Sequence, residues 1–116
     1  MALAKKILLV DDTRSAVRAM LDETKQYHVV AVPSGEEGLL EFGSPDYALL
    51  IVNAKLPGMD GFEFVRRVRR RTELPVYILA ERLSSAERRK GDELDIQGYF
   101  VHPFDEAAVL TAVSAI

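Results

Sequence analysis

Ile7-Leu8-Leu9-Val10-Asp11-Asp12 is an unbroken apolar run that stops on two adjacent carboxylates. Four apolar side chains in succession read as a strand covered on both faces, because a strand with one wet face would alternate. Val29–Val32, Ala48–Val52, Val76–Ala80 and Tyr99–Val101 read the same way. Between them the apolar spacing turns helical. Val17, Met20, Leu21 and Thr24 fall at i, i+3, i+4 and i+7, Phe62, Val65 and Val68 form a second stripe, and Val109, Ala112, Val113 and Ile116 close the chain. Ser34 with Glu37, Asp60 with Glu63, and Ser84 with Glu87 each place a capping oxygen three residues before a carboxylate, which predicts a reciprocal capping box at three helix starts. Asp105 is a further cap, and Pro33, Gly43-Ser44-Pro45 and Pro57-Gly58 mark turns. Strand and helix alternate five times with connections too long for hairpins, so the sheet is expected to be parallel and covered by helices on both faces. Ser84 to Leu94 is the weak unit. It has few apolar residues and an internal glycine, and predicts a helix that buries little and is loosely held.

At 116 residues the chain suits one domain, residues 1–116, with no linker or low-complexity segment. Hydrophobic residues at 48% and charged residues at 28% are the balance of a globular protein. A formal net charge of -3 argues against nucleic-acid binding by this domain. The absence of cysteine removes disulfides, thiolate metal sites and cysteine nucleophiles. Met1 to Lys6 is too short and too lysine-rich for a signal peptide, and no apolar run approaches the ~20 residues of a membrane helix. A cytoplasmic location without membrane contact is the expectation.

In an open α/β sheet, ligands bind beyond the carboxyl ends of the strands. Asp11 and Asp12, Asn53, Ala80 and His102 stand at those ends. Adjacent carboxylates after a buried strand are either ligands for a hard cation such as Mg²⁺ or caps for the following helix; spacing leaves both readings open.

Three segments carry a family resemblance: Ile7 to Asp12, then Asn53-Ala54-Lys55-Leu56-Pro57-Gly58-Met59-Asp60-Gly61, then Gly98-Tyr99-Phe100-Val101-His102-Pro103-Phe104. In order and spacing the chain, from about residue 5 to 116, resembles the receiver domain of two-component response regulators. The resemblance implies a flavodoxin-like (βα)5 fold, a three-layer sandwich around a parallel five-stranded sheet in the order 2-1-3-4-5. It also implies a non-enzymatic signalling module of the phosphorelay type. Asp11 and Asp12 match the family's acidic pair for Mg²⁺, and the main-chain carbonyl of Lys55 would complete the metal site. Tyr99 matches the aromatic switch residue. Asn53 stands where the family carries its phospho-accepting aspartate, Ala80 where it carries a serine or threonine, and His102 where it carries a lysine.

These three changes fall on the positions that meet the phosphoryl group. An amide is a poor nucleophile, a methyl group donates no hydrogen bond, and a histidine with a pKa near ~6.5 is only a partial cation at neutral pH. A degenerate pseudo-receiver with weak or vestigial Mg²⁺ binding at Asp11, Asp12, Asn53 and Lys55 follows. His102 is expected either to pair with Asp12 or Asn53 in place of the metal, or to fill the lysine's space as a neutral ring. His28 reads as an ordinary edge residue, and Arg66, Arg67, Arg69, Arg70 and Arg71 as the solvated face of their helix. Arg82, Arg88, Arg89 and Lys90 belong to the weak helix; they are either solvent-exposed or face an acidic partner. The resemblance places partner contacts (a histidine kinase, an output domain or another signalling protein) on the last two helices and last strand. Competing readings are phosphorylation at another residue, such as Asp11, Asp12 or a serine, and a small-ligand-binding module on the same fold. Because the last helix should finish at Ile116, a downstream effector in a longer regulator or kinase is compatible with the sequence.

Overall fold

The computed structural model describes residues 5–12, 15–43 and 46–116. Along the chain run β1 (Lys5–Val10), α1 (Ala16–Thr24), β2 (Tyr27–Val32), α2 (Gly35–Glu41), β3 (Tyr47–Asn53), α3 (Gly61–Arg69), β4 (Val76–Ala80), α4 (Ser85–Glu93), β5 (Gly98–Val101) and α5 (Glu106–Ser114). The strands form one parallel sheet in the order β2-β1-β3-β4-β5, the flavodoxin-like arrangement. β3 lies at the centre with β1 and β4 on either side, which is why the apolar runs of these three strands are the most fully buried. The turn expected at Gly43-Ser44-Pro45 falls partly, and Met1 to Ala4 wholly, outside the described residues.

The pleat divides the core. Leu8, Val10, Leu50, Val52, Ile78 and Ala80 face α2 and α3, while Ile7, Leu9, Leu49, Ile51 and Leu79 face α1 and α5. Val17 and Leu21 of α1 and Val109 and Val113 of α5 are buried as their spacing predicted. α3 adds a residue that the stripe of Phe62, Val65 and Val68 did not include. Phe64 is fully buried, so the covered face of this helix is wider than a single stripe.

The capping residues take their expected places, with one correction. Ser34, Asp60, Ser84 and Asp105 each accept an amide of the first turn. Only Ser84 and Glu87 complete the reciprocal box, the Ser84 amide donating to Glu87 Oε1 at 3.0 Å. Glu63 instead holds Arg66 at 2.8 Å and Arg67 at 3.0 Å, because both guanidinium groups lie one turn along the same face. For α1 the cap is Ser15, which accepts from the Arg18 amide.

Arg69 corrects the reading of the α3 arginines as one solvated face. Its Nε donates to the Leu94 carbonyl at 2.8 Å, Nη1 to the Leu74 carbonyl at 2.7 Å, and Nη2 to the Asp95 carbonyl at 3.2 Å. Partial burial pulls its pKa below the usual arginine range. Asp95 sits in left-handed backbone at φ 54° and turns its carbonyl into this clamp. α4 buries as little apolar surface as its sequence implied, with Gly91 its one buried residue. Its attachment is polar instead. Arg69 grips the turn that follows it, and the Tyr99 hydroxyl donates to the Arg88 carbonyl at 2.9 Å.

Candidate functional site

Parallel pairing sets the strands so that their carboxyl ends share one edge. Val10 lies opposite Val32 and Val52, and Asn53 opposite Leu79. The residues just beyond these ends therefore meet across a cleft of about 750 Å³. Asp11, Asp12, Asn53, Lys55 and Ala80 line it, and Glu81, Arg82 and Glu87 are among the other residues of its wall.

Asp11 is buried, with 8% of its surface exposed, and its Oδ1 accepts the Asp12 amide and the Asn53 Nδ2, both at 2.8 Å. The Asn53 Oδ1 in turn accepts the Lys55 amide at 2.8 Å. These partners fix which end of the Asn53 amide points where. Reversing it would set an oxygen against a carboxylate and an N–H against an N–H. The neutral amide thus donates directly to the buried carboxylate. Gly61 makes room for this turn, since a Cβ there would collide with the Asn53 carbonyl.

The remaining positions named from the sequence separate into two groups. Ala80 is buried and presents only a methyl group to the cleft. His102 does not line the cleft. Its ring packs edge-on to Phe104, with centroids 5.5 Å apart and planes at 80°, ahead of a cis peptide bond to Pro103. The expected pairing of His102 with Asn53 is not formed: the amide bonds Asp11 and Lys55, and the His102 ring packs on Phe104 outside the cleft. Tyr99 lies beneath α4, where the Arg88 guanidinium stacks over its ring at 5.3 Å. Gly91 is required above it, because a Cβ there would overlap the Tyr99 hydroxyl. Burial, with Asp92 next to it, raises the Tyr99 pKa.

Glu81, Arg82 and Glu87 were not singled out as cleft residues from the sequence. Glu87 carried a signal, its place in the capping box, but only the path of the β4–α4 connection puts that box over the strand ends. The Ser84 amide that it accepts holds its carboxyl below the usual range, and the Lys55 and Lys90 cations add to this.

Mg²⁺ binding of the kind the sequence implied requires converging oxygens. Asp11 and Asp12 supply carboxylates, but Asn53 turns its NH₂ group toward Asp11 and spends its oxygen on Lys55. The Asn53 side chain as arranged does not fit a cation ligand, and no group of three or more His, Asp or Glu residues among those described could hold a metal ion.

The doubly covered parallel sheet, with its acidic pair and strand-end cleft, defines a flavodoxin-like α/β domain. A family model for the response regulator receiver domain matches residues 7–114, and the chain belongs to this family. It is 36% identical over 113 residues to the transcriptional regulatory protein HprR of Escherichia coli, covering 95% of this chain and 50% of that protein. With the transcriptional regulatory protein CseB of Streptomyces coelicolor it shares 36% over 115 residues, covering 95% and 48%. The chain spans about half the length of the curated relatives it matches. Among solved structures, the chemotaxis protein CheY4 of Vibrio cholerae superposes with a TM-score of 0.87 at 26% identity, covering 98% of this chain and 99% of that one.

Proposed function

We propose that this receiver domain is a degenerate one, acting as a phosphorylation-independent protein-interaction module of a two-component pathway and not as an enzyme. The observation that carries the reading is the Asn53 amide, held between Asp11 Oδ1 and the Lys55 amide at 2.8 Å on each side. Phosphoryl capture needs a carboxylate nucleophile at the strand end, with a cation to neutralise the incoming oxygens. Here the strand end carries an amide, Ala80 offers no donor, and His102 faces Phe104. The same hydrogen bonds favour weak or vestigial Mg²⁺ binding at Asp11, Asp12 and the Lys55 carbonyl, since a cation would have to displace N–H donors already in place. Phosphorylation at Asp11 would have to use Oδ2 of a buried side chain, since its Oδ1 already accepts two N–H groups.

In this reading the output is a fixed surface. Tyr99 is tied beneath α4 by its hydroxyl, with no phosphoryl group needed to place it. α4 and β5 present Arg88, Arg89, Lys90 and Val101 to solvent and, with α5, offer a face for a kinase, an output domain or another signalling protein. A cytoplasmic setting and a place within a longer regulator fit this role; the relatives' greater length supports the second, and no helix among the described residues is long and apolar enough to cross a membrane.

The test is exposure of the chain to acetyl phosphate, and separately to beryllofluoride, in the presence of Mg²⁺. Intact-mass spectra without a phosphoryl adduct and an unchanged amide NMR spectrum are expected. An adduct lost on Asp12→Ala would refute the reading and restore phosphorylation at another residue.

A further inference from the structure

Leu40 is 83% exposed, the most exposed large hydrophobic side chain among the described residues. α2 turns Gly35 and Gly38 toward the core and leaves Glu36, Glu37, Leu40 and Glu41 on its outer face. A leucine ringed by carboxylates is thus held in water by the register of a short helix. Beside it run two grooves that share Leu39, Leu40 and Arg67. One of about 620 Å³ reaches Met59, and one of about 410 Å³ reaches Arg70 and Arg71.

The charges on this face are segregated. Glu63 pairs with both Arg66 and Arg67 within α3. Among the described residues, no carboxylate lies within ion-pair distance of Arg70 or Arg71. The patch therefore carries free cations on the α3 side of Leu40 and carboxylates on the α2 side, on a chain whose net charge is -3. A surface with opposite charges on either side of an apolar centre is its own complement under a two-fold rotation, which is the requirement for an isologous contact.

We propose that this α2–α3 face docks on a second copy of the chain. Leu40 of each copy enters the groove between Leu39 and Met59 of the other, and the α2 carboxylates meet Arg70 and Arg71 across the axis. Guanidinium and carboxylate groups pair bidentately, which sets the register that a lone apolar contact would leave open. The contact is small, so the association is weak and salt-sensitive. It is independent of the strand-end cleft.

Sedimentation velocity over a range of protein concentrations tests the proposal. Concentration-dependent dimer formation is expected, weakened by salt and reduced about tenfold or more by Leu40→Asp. Arg70→Glu with Arg71→Glu, and separately Glu36→Lys with Glu37→Lys, are each expected to abolish it. Mixing the two charge-reversed variants should restore a heterodimer, since each then supplies what the other lacks. All positions are exposed, and circular dichroism checks that the variants fold. A wild-type chain that stays monomeric overturns the proposal, as does a dimer indifferent to these changes or a mixture that fails to associate. A monomer whose Leu40 resonances shift on adding a helical Glu/Leu peptide would assign the groove to another protein and equally overturn self-docking.

Discussion

Replacing Asn53 by aspartate converts a hydrogen-bonded pair into two facing carboxylates. In the native chain the Asn53 Nδ2 donates to the buried Asp11 at 2.8 Å. Loss of a hydrogen bond to a charged acceptor costs about 1.5–3 kcal/mol. If the new carboxylate rotates to ~4 Å, its repulsion from Asp11 adds about 1 kcal/mol at the dielectric of water and about 4 at the lower value typical near a protein surface. Asn53 is half-buried at the edge of the open cleft, where rotation relieves part of the repulsion, so a net loss of about 2–4 kcal/mol in the absence of divalent ions is expected. At an unfolding entropy of about 2.1 cal/mol/K per residue, that loss lowers the melting temperature by about 8–16 °C. Mg²⁺ should reverse much of it, because the variant offers three carboxylates where the native chain offers two and an N–H. Differential scanning calorimetry of both proteins, in EDTA and in Mg²⁺, reads the effect. The reasoning is refuted if Asn53→Asp melts with the native chain in EDTA, or if Mg²⁺ stabilises the native chain as much as the variant.

Three other measurements probe the scaffold around the cleft. Arg69→Met should cost about 2–3 kcal/mol in urea unfolding, since it orphans the Leu74, Leu94 and Asp95 carbonyls; Arg69→Lys, without the planar fork, should recover less than half. Gly91→Ala should destabilise the fold, although this exchange in an open helix gains about 1 kcal/mol, and should shift the Tyr99 ring resonances as the hydroxyl is displaced. Tyr47 has its pKa pushed up to about 12 by burial and by its hydrogen bond to Glu41. The folded state thus holds this proton more tightly than the unfolded chain, so its contribution is present below pH ~10 and is lost as pH rises toward ~12. Alkaline unfolding should follow that window, and Tyr47→Phe should remove about 2–3 kcal/mol of the pH dependence.

Much of the architecture was legible because burial leaves a periodic trace. β1 and β3 carry uninterrupted apolar runs since both of their faces are covered, and the caps at Ser34, Asp60, Ser84 and Asp105 mark helix starts through a local interaction. The edge strand β2, none of whose residues is fully buried, was still found from its β-branched run. The identities of Asp11, Asp12, Asn53 and Ala80 and their place at strand ends followed from the same linear pattern. What stayed hidden depends on residues distant in sequence. Phe64 looks like an odd member of α3 until α2 is packed against it. Arg69 resembles its neighbouring arginines until the chain end of α4 brings carbonyls within its reach.

The linear sequence, then, determined the order of elements, the family and which residue types stand at the strand ends, because those are properties of residue type and spacing. Tertiary structure alone decided how the altered residues are used. It turned the Asn53 amide into a direct partner for Asp11, carried His102 away to Phe104, and brought Glu81, Arg82 and Glu87 over the cleft. The direction of the Asn53 amide and the wall of the cleft depend on partners tens of residues away, such as Asp11, 42 positions from Asn53. No local pattern records them.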